Sequence, residues 1–241
     1  MHIYDTLIIG CSYTSVGYAV ARKNCIICEK TELCDTHFGA SLCSFAKAEY
    51  EPKTDEGKKL IGVFENMKLF KDGMQNANGF ECALCKYIVE KDVNVLLKCR
   101  AIDVAKENGV YAVTVITNSG LEKMYANYVK DFSCSGADFI TVQFVSHDID
   151  NDILALKKEF GEVEFEKAFY ENRYALFLPT NGMDINLLKL DIYDKWKKCG
   201  TKAKILHIPS AMFSKSIERA CDEMFDSFAE AFEFGMKEAE K

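Results

Sequence analysis

The sequence lacks features that define several broad classes of protein. Its 37 acidic residues outnumber its 30 lysines and arginines, for a formal net charge of −7, and the scattered basic residues argue against a nucleic-acid-binding surface. No apolar run approaches the roughly 20 residues that a membrane-spanning helix needs. The first apolar stretch reads as a strand, so we expect no signal peptide. We therefore expect a cytoplasmic protein that binds neither nucleic acid nor membrane.

Common catalytic signatures are missing as well. We find no Ser-His-Asp arrangement and no paired carboxylates, and the sequence at Gly57 lacks the upstream glycine and the hydroxyl of a phosphate-binding loop. There are no internal repeats. A chain of 241 residues buries roughly 70–75% of its unfolded surface. One domain, or one domain with a small insertion, is the natural expectation.

The eleven cysteines do not form a recognisable metal or disulfide pattern. Most lie in apolar runs, which favours free thiols in a reducing compartment. Cys25 and Cys28 fall on a predicted strand, where residues three apart face opposite sides. Cys82 and Cys85 share a face of a predicted helix, but a structural zinc site needs a second ligand pair. We expect packing roles for all four and no bound metal.

The most informative stretch is TLIIGCSYTSVGYAVARKNCIICEK, residues 6–30. An apolar strand enters a turn at Gly10, a helix follows over about Ser15–Arg22, and a second strand at Cys25–Cys28 ends on Glu29. A helix between two short apolar strands implies a right-handed crossover and a parallel pair. This is the layout of a dinucleotide-binding βαβ unit.

The glycine fingerprint of such a unit is only partly present. Gly10 stands at the first position, where glycine permits the tight turn. Ser12 and Ser15 replace the second and third glycines, which let the backbone meet a pyrophosphate and the helix meet the strand. Serine is small, and its hydroxyl can donate to a phosphate. Glu29 follows Gly10 by about twenty residues, where a carboxylate accepts hydrogen bonds from ribose hydroxyls.

The rest of the chain predicts a long series of short elements. Helices are expected in KLIGVFENMKLF and GFECALCKYIVEKD, followed by a strand at Val93–Cys99 and a three-stranded meander whose turns carry Asn108-Gly109 and Asn118-Ser119-Gly120. Beyond Asp138 we expect a helix, a charged hairpin or second helix, a strand at Ala175–Leu178, a helix in DIYDKWKKCG, a strand in AKILHIPSA and a helix over about Ser216–Glu240.

This order of elements resembles the FAD-dependent oxidoreductases with a glutathione-reductase-type, Rossmann-like FAD-binding domain. The resemblance runs over nearly the whole chain and implies an α/β fold with a parallel sheet, a three-stranded β-meander and a small inserted α+β region. It implies an FAD-binding domain in residues 1–138, an inserted or substrate-side region in 139–200, and a closing strand and helix of the first domain in 201–241. It also implies FAD-mediated hydride or electron transfer with a small-molecule substrate or an electron-transfer partner.

The resemblance carries FAD-binding positions onto this sequence. The expected cofactor-binding residues are Gly10, Ser12, Tyr13, Ser15, Glu29 and Lys30 for the adenosine and pyrophosphate, Arg100 and Ala101 beside the adenine, and His37, Ser135, Gly136, Ser210 and Ala211 on the flavin side. Two of these turns depart from the family pattern. Ser135-Gly136 stands for the usual Thr-Gly, and Pro209-Ser210 for the usual Gly-Asp.

Several alternatives remain open at the level of sequence. His37 is the best-placed titratable group for substrate or flavin contact, because an ordinary histidine pKa of about 6.5 suits proton transfer; a solvated loop histidine is the competing interpretation. Cys34 and Cys43 are separated by eight residues, unlike the four of flavin disulfide reductases, so we expect no dithiol centre. The region 139–200 is short for a substrate domain. A non-catalytic scaffold or subunit that binds a nucleotide or partner chain is therefore the alternative function, and homo-oligomer formation is also left open.

Overall fold

The larger of the two main sheets has six strands in the order β5-β2-β1-β8-β7-β6. The computed structural model describes residues 2–32, 50–133, 139–208, 218–221 and 223–241. In chain order its elements are β1 Ile3–Ile9, α1 Tyr13–Ala21, β2 Cys25–Glu29, α2 Asp55–Asn66, β3 Phe70–Lys71, β4 Met74–Gln75, α3 Ala77–Glu90, β5 Val95–Leu97, β6 Arg100–Glu107, β7 Val110–Thr117, β8 Gly120–Asp131, β9 Phe139–Val145, α4 Ile149–Phe160, β10 Glu164–Lys167, β11 Arg173–Pro179, α5 Ile185–Lys198, β12 Lys204–His207, β13 Glu218–Ala220, β14 Glu223–Phe225 and α6 Phe228–Ala239.

The pairing within this first sheet follows the sequence pattern closely. Strands β5, β2, β1 and β8 are parallel to one another, and β8, β7 and β6 form the antiparallel meander. Leu7 and Ile8 of β1 are fully buried, as expected of a central strand covered on both faces. The predicted βαβ unit and meander are confirmed, and so is the α/β fold class with its parallel-dominated sheet.

Helices α1 and α6 cross at very short range because glycines stand at the contact. A Cβ atom added at Gly17 would lie 2.0 Å from the carbonyl oxygen of Phe232, and one added at Gly235 would lie 1.9 Å from that of Thr14. Only glycine fits at either position. The end of the chain is thereby fixed against the first helix, and the segment before α6 lies near the start of α1.

The second sheet has four antiparallel strands in the order β10-β11-β9-β12. Helices α4 and α5 contribute to the core on one of its faces, around Phe144 and Trp196. The strand expected in AKILHIPSA is present as β12, but it pairs with β9, not with the first sheet. The buried apolar strand β9, which the sequence reading did not predict, accepts antiparallel neighbours on both sides. The proposed boundaries at 138 and 200 remain a prediction.

The helix expected from about Ser216 begins only at Phe228. A two-stranded hairpin, β13 and β14, precedes it. Ala220, Met224 and Phe228 are spaced like one face of a helix, so the sequence alone favours a helix over these residues. In the structure Ala220 is buried while Met224 is 66% exposed, because alternate residues of a hairpin strand point to opposite sides.

Across the ranges that the structure describes, no helix is both long and apolar enough to span a bilayer.

Candidate functional site

The turn after β1 can accommodate only glycine. Gly10 has a positive φ of 87°, which L side chains rarely adopt. A Cβ atom at this position would also lie 2.8 Å from the Cα atom of Ser133. The amide of Gly10 donates to the carbonyl of Cys28 at 2.9 Å, which ties the turn to β2. A side chain at position 10 would therefore disrupt the turn.

The two serines of the fingerprint are bonded within the turn itself. Ser12 is the N-cap of α1, and its side chain accepts a hydrogen bond from the amide of Ser15 at 3.3 Å. The hydroxyl of Ser15 donates to the carbonyl oxygen of Gly10 at 2.7 Å. That proton is therefore used inside the protein, and Ser15 stiffens the turn instead of extending toward a phosphate.

Glu29 is buried at the end of β2 and already accepts three hydrogen bonds. Its Oε2 atom accepts from the amide of Cys11 at 2.7 Å, and its Oε1 atom accepts from the amide and hydroxyl of Thr31 at 2.9 and 2.8 Å. A carboxylate offers about four lone-pair positions, so about one remains for a ribose hydroxyl. Glu29 is thus a structural link between the ends of β1 and β2, and its role in binding a ribose stays a prediction.

The expected adenine-side residues lie beside Glu29. The amide of Cys99 donates to the carbonyl of Glu29 at 2.8 Å, and the amide of Lys98 donates to that of Thr31 at the same distance. Arg100 and Ala101 follow at the start of β6, with Arg100 exposed and Ala101 half-buried. The structure therefore brings the backbone before Arg100 to the carboxyl end of β2.

Lys30 and Tyr13, two further residues expected to bind the cofactor, differ in their exposure. Lys30 is exposed just past β2. Tyr13 is fully buried; its hydroxyl donates to the carbonyl of Phe80 at 2.7 Å, and its ring packs against Phe228 with centroids 4.5 Å apart. The Tyr13 side chain therefore belongs to the core, and only its backbone faces the site.

Glu218, a residue that sequence reasoning missed, contacts the beginning of α1. The amide of Tyr13 donates to Oε2 of Glu218 at 3.0 Å, and the amide of Thr14 donates to Oε1 at 2.8 Å. Glu218 lies on β13 and is 4% exposed. Burial raises the pKa of its carboxyl group, and the hydrogen bonds at the start of α1 oppose that rise. Since the contact spans 204 residues of sequence, no local pattern could have revealed it.

The flavin-side assignments lie outside the residues that the structure describes. They are His37, Ser135, Gly136, Ser210 and Ala211. Cys34 and Cys43, for which we expect no dithiol centre, lie outside the described residues as well. Their roles stay predictions.

Cys25 and Cys28 pack in the core as expected, whereas the packing role expected of Cys82 is wrong because this residue is exposed. Cys25 and Cys28 are buried in different hydrophobic clusters on opposite faces of β2. Burial raises the pKa of Cys25 to about 11 and raises that of Cys28 as well. Cys82 is exposed on α3, and Cys85 is half-buried there. Among the described residues, no three or more His, Cys, Asp and Glu side chains are grouped as metal ligands.

Known structures share this arrangement of elements. No family model and no curated protein matches the sequence. BexE, studied for oxidation during BE-7585A biosynthesis, is similar with a TM-score of 0.59 and 11% identity over 99% of this chain and 61% of BexE. A geranylgeranyl bacteriochlorophyll reductase-like protein from Thermoplasma acidophilum gives 0.56 and 14% over 100% of this chain and 78% of that protein. A flavoprotein/dehydrogenase from Cytophaga hutchinsonii gives 0.53 and 11% over 99% and 76%.

The chain therefore has the same α/β fold as these three proteins. In such a fold the first βαβ unit binds the pyrophosphate of a dinucleotide at the N-terminus of its helix. The residues of this chain fit the adenosine half of FAD, through the Gly10 turn, Glu29 and the backbone near Cys99. They do not fit its pyrophosphate in this arrangement, because the amides of Tyr13 and Thr14 donate to Glu218.

Proposed function

We propose that this chain is an FAD-binding flavoprotein domain of the oxidoreductase type. The observation that carries the proposal is the hydrogen bond from the amide of Cys11, in the turn after β1, to the carboxylate of Glu29 at the end of β2. It joins the two parts of a dinucleotide-binding unit at the carboxyl edge of parallel strands, where ligands bind in folds of this kind. The similarity to a flavoprotein/dehydrogenase and to a reductase-like protein supports it.

The chain's own residues have distinct tasks in this proposal. The Gly10 turn lets the backbone approach the nucleotide, the remaining acceptor position of Glu29 binds a ribose hydroxyl, and the backbone from Cys99 to Ala101 flanks the adenine. When bound, FAD supplies hydride or electron transfer. The substrate or electron-transfer partner is not specified by these residues. This chain spans 61% of BexE, so the activity of the whole protein belongs to the proposal.

A second candidate function is favoured by Glu218. A protein that retains FAD permanently needs the first amides of α1 for the pyrophosphate, and here a carboxylate of the chain accepts both. A non-catalytic scaffold or subunit with the same fold would retain the hydrogen bonds from α1 to Glu218 permanently.

The colour of the purified protein and its affinity for FAD test the proposal. We expect flavin absorbance bands after reconstitution with FAD, and Glu29→Gln should weaken FAD binding at least tenfold, since hydrogen bonds to charged groups contribute about 1.5–3 kcal/mol. Fluorescence titration measures the affinity once thermal unfolding shows that the variant is folded. Glu32→Gln is the control, because the Glu32 side chain is 76% exposed. A protein that takes up no FAD would support the scaffold instead.

A further inference from the structure

Glu218 is held in place by a hairpin that is docked on the core. Residues Glu218 and Phe225 are paired across β13 and β14. Phe225 is 6% exposed and lies against Phe234 of α6, with ring centroids 5.1 Å apart. Ala220 is buried in the same cluster as Phe228. The carboxylate therefore reaches the start of α1 from a fixed support.

The contact satisfies charge and hydrogen-bonding requirements on both sides. The first amides of a helix have no partner within the helix, and they carry a partial positive charge. A buried carboxylate is costly unless it is hydrogen-bonded. The bonds from Tyr13 and Thr14 to the two oxygens of Glu218 meet both needs at once.

A pyrophosphate would need the same donors and would bring like charge to the same place. Each amide has one hydrogen to donate. Two anions at one site also repel each other. Glu218 and the pyrophosphate of a dinucleotide therefore exclude each other at the start of α1.

A second buried carboxylate shows what ordinary capping looks like in this chain. Glu233 of α6 accepts hydrogen bonds from the amides of Lys53 and Thr54, at 3.1 and 2.6 Å, at the beginning of α2. In the described segment before α2, residues 50–54, there is no glycine and no strand. Helix α1 follows both, and it lies beside Glu29. A carboxylate at the start of α2 therefore only caps that helix. A carboxylate at the start of α1 occupies the amides that a pyrophosphate would need.

We propose that Glu218 is an internal substitute for the pyrophosphate of a bound dinucleotide, so that nucleotide binding competes with a contact of the chain itself. The identity of the nucleotide as FAD rests on the function proposed above. FAD is then an exchangeable ligand of this chain instead of a permanently retained cofactor. Adenosine, which has no phosphate, binds without displacing Glu218.

Nucleotide titrations of Glu218→Ala test this competition. We expect FAD and ADP to bind at least tenfold more tightly to the variant than to the unmodified protein, while the affinity for adenosine changes less than twofold. Glu223→Ala is the matched control, because Glu223 is exposed on β14 of the same hairpin, and it should change none of the three affinities. Glu218→Gln keeps the size of the side chain and should give a smaller gain, so the test stands even if the alanine variant is poorly folded.

Hydrogen exchange at the start of α1 gives a readout that does not depend on FAD. The amides of Tyr13 and Thr14 should exchange slowly in the unmodified protein and faster in Glu218→Ala and Glu218→Gln. Millimolar inorganic pyrophosphate should restore slow exchange in these variants. Equally fast exchange with and without Glu218 would overturn the inference.

The two proposals fail in different ways. If FAD binds the unmodified protein and Glu218→Ala and Glu218→Gln bind it no more tightly, the competition is wrong and the proposed function stands. If pyrophosphate restores protection in the variants while FAD and adenosine bind none of the proteins, the internal substitute is supported and the proposed function is wrong.

Discussion

At the scale of single residues, buried carboxylates in this protein bond to backbone amides. Glu29, Asp152, Glu218 and Glu233 are the buried acidic residues in the part of the chain that the structure describes. Each accepts at least one backbone N–H. Buried polar groups are almost always hydrogen-bonded, and here the amides at turns and helix ends are the donors. These hydrogen bonds offset the cost of burying the four carboxylates.

Glu29 provides the residue-scale prediction. Glu29→Ala removes the acceptor for the amides of Cys11 and Thr31 and for the Thr31 hydroxyl. The amide of Cys11 is buried and Thr31 is half-buried. Removing the acceptor of such donors costs about 1–3 kcal/mol, so the free energy of unfolding in urea should fall by about that amount. Glu32→Ala should have little effect. Equal stability of Glu29→Ala and the unmodified protein would show that the carboxylate is not a structural link.

At the scale of elements, the sequence predicts those helices and strands whose signals are local. The crossover helix α1 and the meander were predictable because helical periodicity and Asn-Gly turns act over a few residues. The pairing of β12 with β9, the hairpin before α6 and the Glu218 contact were not. Each depends on partners far apart in sequence, and Met224 fits a helical period that tertiary packing overrides.

The crossing of α1 and α6 gives the element-scale prediction. Gly17→Ala and Gly235→Ala place a methyl group about 2 Å from a carbonyl oxygen of the opposite helix, so the helices must separate. Overpacking of this kind costs roughly 1–3 kcal/mol. We expect a lower midpoint of denaturant unfolding for both variants.

Gly62 supplies the control for that measurement. It lies within α2, and an added Cβ atom would meet nothing within 4 Å. Replacing such a helical glycine by alanine stabilises by roughly 0.5–1 kcal/mol. The contacts of Gly17 and Gly235 would be in doubt if their alanine variants behaved like Gly62→Ala.

At the scale of the whole molecule, Glu56 joins two helices of the first core. Its carboxylate, at the start of α2, accepts from the Tyr87 hydroxyl at 2.8 Å and forms ion pairs with Lys59 and Lys91. Burial raises its pKa, but the bonds to Lys59, Lys91 and Tyr87 outweigh burial and lower it from 4.5 to about 2. A carboxylate with a lowered pKa in the folded protein stabilises it above its unfolded pKa.

The resulting pH dependence is the whole-molecule prediction. The contribution of Glu56 is complete above about pH 4.5 and is lost as the pH falls toward 2. The stability difference between the unmodified protein and Glu56→Gln should therefore shrink over this interval, as measured by urea unfolding at a series of pH values. Glu65→Gln, at an exposed position of the same helix, is the control. A difference that stays constant between pH 4.5 and 2 would contradict the role of Glu56.

The packing of α6 against α1 has a consequence for biosynthesis. The core formed by the first βαβ unit includes Phe228 and Phe232 of α6. This core therefore cannot be completed until α6 has emerged from the ribosome. The second sheet, within residues 139–208, is contiguous in sequence and has all its strands available earlier. The first βαβ unit therefore exposes apolar surface while residues 139–208 fold. Exposed apolar surface in this interval favours association with chaperones.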